Sequence, residues 1–264
     1  MIGSLTRNPM RFDVITLLPG MFAALTEHGV VGRALTRQLW SLQCWNPRDY
    51  ASDAYRTIDD RPFGGGPGMV MMAEPLQRTI DAVREAQRSL GTGRSNVIYL
   101  SPQGQPLTQA MTAGWAAGTG LTLLCGRYEG VDQRLLDASV DSEVSIGDFV
   151  VSGGELPAML LIDAIVRQLP GTLNHQQSVL EDSFVQGLLD HPHYTRPEST
   201  TAGVVPPVLL SGHHLDIIRW RREQALAATA RKRPDLLRNA QQCRLLSAAD
   251  IDFLNRSGLG SVLN

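Results

Sequence analysis

The sequence predicts an α/β protein with a mostly parallel sheet and crossover helices, followed by a smaller helical region at its carboxyl end. Short apolar segments typical of buried strands, such as Asn96–Leu100 (NVIYL) and Leu121–Cys125 (LTLLC), are separated by stretches long enough for helices. Each of these segments runs into a glycine-bearing turn. The length of 264 residues allows one large domain, or one domain with a smaller appendage.

The other predicted elements follow in order along the chain. Phe12–Leu18 (FDVITLL) predicts a buried opening strand that ends at a Pro-Gly pair. In Pro75–Arg88 apolar residues recur every three or four positions, which predicts a helix. Leu156–Leu169 predicts a second helix, with a proline in its first turn and a Pro-Gly pair ending it. Leu215–Ala230 and Ala248–Leu254 predict helices in the C-terminal part.

Composition and charge exclude several classes of protein. Hydrophobic residues at 43% and charged residues at 19% are ordinary for a globular chain, which excludes a disordered or fibrous protein. The net charge of −2 excludes a uniformly basic nucleic-acid binder. Residues 1–190 contain 14 basic and 20 acidic side chains, whereas residues 191–264 contain 10 basic and 6 acidic ones. This change of sign predicts two parts with different partners.

The domain boundary is expected near the change of charge sign. Residues 172–186 are mostly polar and lack clear periodicity, which is typical of a linker. We therefore expect a first domain at residues 1–170, a linker at 171–190 and a helical domain at 191–264.

The cysteines and the apolar segments indicate a reduced, cytoplasmic protein. Cys44, Cys125 and Cys243 are odd in number and far apart, which disfavours a disulfide framework or a structural zinc site. The first eleven residues contain no apolar core of signal-peptide length. The uncharged stretch Ser95–Gly126 is interrupted by glutamines and prolines, so it is not a continuous membrane span.

Three glycine-bearing loops are candidates for a ligand site: Ser101–Gly104, Gly126–Gly130 and Ile146–Gly154 (IGDFVVSGG). Ligands of open parallel sheets bind at the carboxyl ends of the strands, and glycine allows a flat ring to approach the backbone. Any one of these loops could equally be an ordinary turn. The chain has no G-x-G-x-x-G helix opening, and its glycine run Gly64–Gly68 is not followed by Lys-Ser or Lys-Thr. The pattern favours a nucleoside held by ring and backbone contacts over a phosphate-bearing cofactor.

Eight longer motifs occur in one order along the chain. They are Arg61–Met69 (RPFGGGPGM), Tyr99–Gly104 (YLSPQG), Cys125–Gly130 (CGRYEG), Ile146–Ala158 (IGDFVVSGGELPA), Glu181–Phe184 (EDSF), Gly187–Asp190 (GLLD), Pro192–Pro197 (PHYTRP) and Val205–Gly212 (VPPVLLSG). With these motifs the chain resembles the bacterial tRNA (guanine-N1)-methyltransferase family of the TrmD type. The resemblance extends from about Arg11 to the C-terminal helices.

The resemblance implies a SPOUT fold with a deep trefoil knot, an exception to the rule that chains do not thread their own loops. It implies S-adenosylmethionine as the methyl donor bound in the knot, and N1 of guanosine 37 of tRNA as the target. It also implies a homodimer with active sites at the subunit interface, and the use of magnesium, whose ligands the sequence does not identify. The segment before Arg11, the short C-terminus and Phe149, where the family often has tyrosine, depart from the family pattern.

Two residues are candidates for the chemistry. Methylation of guanine N1 requires loss of the N1 proton and stabilisation of negative charge on O6. The resemblance assigns the general base to Asp182 and the stabilisation of O6 to Arg167. From the residues alone, Asp182 is as well explained by a solvated side chain or a helix cap. Arg167, four residues after Asp163, is as well explained by an ion pair on a helix surface.

The resemblance also assigns the cofactor site to residues of the three glycine loops and their surroundings. These residues are Tyr99, Leu100, Ser101, Pro102, Gly126, Glu129, Ile146, Gly147, Asp148, Phe149, Val150, Val151, Gly153, Gly154 and Pro157.

The charge pattern gives a candidate tRNA-binding face in the C-terminal part. Arg219 and Arg222 are three residues apart in a predicted helix, so they share a face that suits contacts with phosphates. The alternative is an ordinary solvated face, since charge runs are common on surface helices.

The histidines do not predict a metal site. His191 and His193 are two residues apart and His213 and His214 are adjacent, but no carboxylate or cysteine cluster accompanies them in the sequence. Because metal sites normally have a fuller ligand set, we expect hydrogen-bonded or surface histidines and no metal.

Two other functions remain as alternatives. The first is a SPOUT methyltransferase that acts on another RNA, which the knot motifs alone would allow. The EDSF, GLLD and PHYTRP motifs favour the guanosine-37 enzyme instead. The second is a non-catalytic RNA-binding or regulatory protein, against which the presence of both Asp182 and Arg167 argues.

Overall fold

The computed structural model describes residues 9–174 and 181–263, which form two compact units divided between Asn174 and His175. Each unit has its own hydrophobic core. Residues 1–8, which belong to the segment before the family motifs, and residues 175–180 of the predicted linker lie outside the described residues.

A five-stranded parallel sheet forms the centre of the N-terminal unit, with strand order β2-β1-β6-β5-β7. This confirms the predicted α/β class with a mostly parallel sheet. Its strands are β1 (Met10–Ile15), β2 (Trp40–Trp45), β5 (Asn96–Pro106), β6 (Gly120–Cys125) and β7 (Ser142–Ser145). A short antiparallel pair, β3 (Asp59–Asp60) and β4 (Val70–Met71), flanks the glycine-rich RPFGGGPGM segment.

Helices cover both faces of this sheet because alternate strand residues point to opposite sides. Ile98 and Leu100 pack in one core with α2, α4 and α6, whereas Val97 and Tyr99 pack in the other with α3 and α5. The helices of this unit are α1 (Ala23–Thr26), α2 (Gly29–Thr36), α3 (Ala73–Ser89), α4 (Gln109–Ala116), α5 (Gln133–Ser139) and α6 (Glu155–Val166).

Strand β5 is longer than the sequence predicts. Instead of ending at Leu100 it continues to Pro106, and its pairing with β7 resumes at Gln105 after an irregularity. The expected Ser101–Gly104 turn is therefore a bulge within the strand. A Cβ atom at Gly104 would overlap the backbone nitrogen of Val144, so only glycine allows β5 to approach β7 this closely.

Two other elements end earlier than predicted. The first strand ends at Ile15 rather than at residue 18, because the Thr16 hydroxyl accepts a hydrogen bond from the Leu18 amide at 3.0 Å and turns the chain. Helix α6 ends at Val166, three residues early, and the amides of Gln168 and Leu169 bond carbonyls only three residues back. The chain then turns at Gly171, whose φ of 86° suits glycine.

The C-terminal unit is mainly helical around a small core that includes Leu226, Leu237 and Leu254. Helix α8 ends before Pro234, since the residue preceding a proline disfavours helical geometry. None of the helices in residues 9–174 and 181–263 has the length and apolar character needed to span a bilayer. The elements of this unit are β8 (Ser199–Thr200), β9 (Gly203–Val204), α7 (Pro207–Leu210), α8 (His214–Lys232), α9 (Pro234–Gln242) and α10 (Ala248–Arg256).

Candidate functional site

The glycine loops meet at the carboxyl edge of the sheet, because β6, β5 and β7 are adjacent and parallel. A cavity of about 250 Å³ lies there, which we call the glycine pocket. It is lined by β5 residues 99–102, loop residues 126–130, and residues 144–147, 149–154 and 157. All the residues that the resemblance assigns to the cofactor site line this pocket except Asp148, which is exposed beside it.

Backbone contacts between the loops shape the glycine pocket. The Gly154 amide donates to the Gly126 carbonyl at 2.9 Å. A Cβ atom at Gly154 would lie 2.6 Å from the Cα atom of Cys125, so no side chain fits there. At Gly126 a Cβ atom would lie 2.7 Å from the hydroxyl oxygen of Tyr99. Main chain therefore forms much of the pocket wall.

Tyr99 provides a buried aromatic wall. Burial, and then the charge of Glu143, raise the pKa of the Tyr99 hydroxyl above its usual value, although a hydrogen bond with the backbone of Val131 opposes the shift. The phenol is therefore neutral at physiological pH.

An ion pair at the pocket wall was not predicted from the sequence. Arg127 Nε donates to Glu155 Oε2 at 2.9 Å, and the Thr16 hydroxyl donates to Glu155 Oε1 at 2.8 Å. Glu155 is fully buried in the first turn of α6, where a carboxylate also suits the helix dipole. Arg127 also donates to the carbonyl of Ser152 at 3.3 Å. These contacts join the end of β1, the loop after β6 and the start of α6.

The glycine-rich RPFGGGPGM segment supports the rim of the pocket. The Glu129 amide donates to the Met69 carbonyl at 2.9 Å, and the Met71 amide donates to the Gly130 carbonyl at 2.9 Å. Gly68 has a φ of 80°, and a Cβ atom there would overlap the Glu129 side chain. The glycine therefore leaves room for the Glu129 carboxylate at the mouth of the pocket.

Arg167 lies in the N-terminal unit but does not line the glycine pocket. It follows the last residue of α6, and Glu155 begins that helix. Twelve residues of α-helix span about 18 Å, so Arg167 and the pocket lie at opposite ends of α6. Arg167 borders a separate, open cavity together with Ala24, Leu25, Gln109, Met159, Leu160, Asp163 and Ala164.

Asp182 lies in the C-terminal unit, on a second cavity of about 200 Å³. This cavity, which we call the Asp182 cavity, is also lined by Asp190, His191, Arg221 and Arg222. Asp182 accepts a backbone hydrogen bond from Val185 through its carbonyl, at 3.3 Å. It is therefore part of an ordered turn, with its side chain on a concave surface.

The two candidate tRNA-binding arginines differ in their surroundings. Arg219 is exposed, whereas Arg222 donates to both carboxylate oxygens of Asp250, at 3.1 and 2.9 Å. Burial alone would raise the pKa of Asp250, but hydrogen bonds from Arg222 and from Ser247 hold it below its usual value. Arg222 therefore ties α8 to the start of α10, in addition to any contact with RNA.

The first histidine pair has one carboxylate beside it, where the sequence predicts no carboxylate or cysteine cluster. Asp190 precedes His191, and its carboxylate lies 2.8 Å from His193 Nε2. The three side chains form the one group in the described residues that has three or more potential metal ligands close together.

The fold and the glycine pocket define an α/β protein with a ligand site at the carboxyl edge of a parallel sheet. Comparison with known proteins narrows this class. The model of the tRNA (guanine-1)-methyltransferase TrmD family matches residues 10–239. A tRNA (guanine-N(1)-)-methyltransferase of Cupriavidus metallidurans is 60% identical over 246 residues, which cover 93% of this chain and 95% of that protein. A protein of the same name from Burkholderia ambifaria is 55% identical over 253 residues, 96% of each chain. The chain therefore belongs to the tRNA (guanine-N1)-methyltransferase family, and the resemblance seen in the motifs is confirmed.

Proposed function

We propose that this protein transfers a methyl group from S-adenosylmethionine to N1 of guanosine 37 of tRNA. The observation that carries the proposal is the glycine pocket, which three of the family's motifs form at the carboxyl edge of the sheet. Membership of the family supports the tRNA and guanine specificity. A cytoplasmic location of the protein fits a tRNA substrate.

The chemistry of the pocket suits the adenosine half of the methyl donor. A neutral ring needs apolar walls and a few backbone partners, and Leu100, Ile146 and Pro157 supply apolar surface beside the main chain. The donor's sulfonium carries positive charge, so the Glu129 carboxylate at the pocket mouth is a suitable electrostatic partner. Asp148 does not line the pocket, and its contact with the donor stays a proposal.

The proposed acid–base chemistry uses two residues. Asp182 accepts the N1 proton of the target guanine, and the Arg167 guanidinium stabilises the negative charge that develops on O6. Magnesium belongs to the proposal only as a general requirement, and no ligands are assigned to it.

A homodimer reconciles the position of Arg167 with this chemistry. Arg167 is about 18 Å along α6 from the pocket of its own chain, too far to touch the same guanine. Leu156 and Leu160 are exposed on the same side of α6 as Arg167, and an exposed apolar stripe is typical of an interface. Two copies packed through this face would bring Arg167 of one subunit toward the pocket of the other.

We also propose that the N-terminal unit contains the deep trefoil knot that the resemblance implies. A deep trefoil knot would bring segments of the chain into direct backbone contact at the pocket. The close approach of Gly154 to Cys125 and Gly126 supports this arrangement. The helical residues 191–264 are proposed to bind tRNA, in agreement with their positive charge.

The test is methyl transfer from tritiated S-adenosylmethionine to unmodified tRNA transcripts that carry either G or A at position 37. We expect labelling of the G37 transcript only. Labelling of both transcripts would indicate another target, and labelling of neither would favour a non-catalytic RNA-binding protein.

The Asp182→Asn variant tests the base. Loss of a positioned general base costs about 10²–10⁴-fold in rate, so single-turnover methylation should fall by that factor while cofactor affinity stays unchanged. Glu181→Gln is the matched control, because Glu181 is the adjacent carboxylate and pairs with Arg221 at 3.9 Å. A wild-type rate in Asp182→Asn, or an equal loss in both variants, would contradict the assignment.

A further inference from the structure

A cluster of three potential metal ligands lies in the C-terminal unit, beside the cavity that Asp182 also lines. Asp190, His191 and His193 come from the short DHPH segment, and one ligand atom from each lies within 4.8 Å of the other two. The segment is held on the helical core by hydrogen bonds from the Leu189 amide to Thr229 at 2.9 Å and from the Asp190 amide to Ser183 at 3.0 Å. The cluster therefore belongs to an ordered part of the unit.

The hydrogen bond of His191 Nδ1 determines what its other ring nitrogen offers. Nδ1 lies 3.1 Å from the Pro192 carbonyl oxygen, which can only accept, so Nδ1 carries the hydrogen. In the neutral ring the lone pair is then on Nε2, which faces Asp190 Oδ1 at 3.8 Å. Two lone pairs that face each other across this distance favour a cation between them. A histidine whose other nitrogen donates to a backbone carbonyl is the usual arrangement of a metal ligand.

The remaining contacts give the cluster an open side. The other oxygen of Asp190 accepts a hydrogen bond from His193 Nε2 at 2.8 Å, so the carboxylate contacts both rings. A metal bound by His193 Nε2 displaces this hydrogen, which moves to Nδ1 or leaves as a proton. The His191 side chain is only 11% exposed and packs against Trp220, with ring centroids 6.3 Å apart. The His193 side chain is 71% exposed. One ligand is thus held by packing, while the other leaves a coordination position accessible to water.

We propose that Asp190, His191 and His193 form a three-ligand site for Zn²⁺ or a similar borderline divalent transition metal. Two imidazoles and a carboxylate are a ligand set that zinc prefers, with a fourth position for water. Magnesium prefers oxygen ligands, so this site is distinct from any magnesium that the methylation requires. The proposal does not depend on the proposed function.

The site would also change the electrostatics of the Asp182 cavity, whose wall includes Asp190 and His191. A carboxylate with two neutral imidazoles carries a charge of −1, and a bound divalent ion makes it +1. The bound metal would therefore attract an RNA phosphate where the metal-free carboxylate repels it.

Metal binding by the full-length chain without a purification tag tests the site. We would titrate Zn²⁺ by equilibrium dialysis and Co²⁺ by visible absorption, in a Cys243→Ser background that removes the exposed competing thiol. We expect one strongly bound ion, tetrahedral Co²⁺ bands, and no displacement by excess Mg²⁺. His193→Ala and His191→Gln should each weaken metal binding by at least about 10- to 100-fold. The loss of a residue that only supports a metal ligand already has an effect of this size.

The matched control is the double variant His213→Ala/His214→Ala, which removes an exposed histidine pair of the same unit. It should bind the ion as the parent does. The proposal is overturned if the parent binds no stoichiometric ion, if His193→Ala or His191→Gln binds as tightly as the parent, or if the control loses affinity equally. His193 is exposed, so its replacement leaves the fold intact and the comparison interpretable.

Discussion

Gly154→Ala adds a single methyl group where the loop after β6 meets the start of α6. The new Cβ atom would lie 2.6 Å from the Cα atom of Cys125 and 3.0 Å from the nitrogen of Gly126. Ordinary contacts begin at 3.4 Å, so the two backbone segments must separate by about 0.8 Å. Both obstacles are main-chain atoms, so a side-chain rotation cannot relieve the overlap.

Two effects follow from this separation. Overpacking of this kind costs about 1–3 kcal/mol of stability. It also moves one wall of the glycine pocket, and a misplacement of about 1 Å can lower a catalysed rate by about 100-fold. We expect the affinity for S-adenosylmethionine to fall by at least about tenfold, which corresponds to about 1.4 kcal/mol.

Calorimetric titration with S-adenosylmethionine, together with a thermal melt, measures both effects. Gly114→Ala is the control, because Gly114 lies in α4 with no atom within 4 Å of its Cβ position. That variant should bind the cofactor normally and be more stable by up to about 1 kcal/mol, as alanine favours helix. A Gly154→Ala protein that melts and binds like the wild type would refute the close-packed pocket.

Two further predictions concern charged residues. Glu155→Gln removes the charge that Arg127 faces, so the free energy of unfolding, measured with urea, should fall by about 1–3 kcal/mol. An unchanged free energy of unfolding would mean that the ion pair does not stabilise the fold. Arg219→Glu should weaken tRNA binding and reduce the slope of log K against log salt by about 0.7–0.9, the contribution of one phosphate contact. Arg238→Glu, the same change at an exposed position of α9, should leave the slope closer to that of the wild type. Arg222 does not suit this test, because its replacement also breaks the contact with Asp250. If Arg219→Glu and Arg238→Glu gave equal slopes, Arg219 would be an ordinary surface residue.

Much of the glycine pocket could be predicted from the sequence because its residues occur in short motifs that follow strands. Arg127 lies inside one of these motifs, but no role in the site was predicted for it. Its function depends on Glu155 and Thr16, which are remote in sequence and meet it only in the folded chain. Residues that act through distant partners give no local signal.

The ends of the strands were also hard to predict, because they depend on pairing with residues that are remote in sequence. The composition of Ser101–Gly104 is that of a turn, but pairing with β7 keeps this segment in the sheet. The cluster around Asp190 shows a similar dependence on geometry. Its carboxylate is adjacent to His191 in the sequence, yet only the folded segment brings it to His193.

The construction of the glycine pocket from main chain affects how it could change under selection. Gly126, Gly147 and Gly153 present no side chain that a substitution could shorten or exchange for another of similar size. A replacement at these positions adds bulk against Tyr99, Phe149 or Arg127 and disturbs the pocket itself. An inhibitor anchored to these backbone atoms should therefore meet resistance mutations that also damage the enzyme. Contacts to exposed side chains such as Phe149 would offer an easier route to resistance.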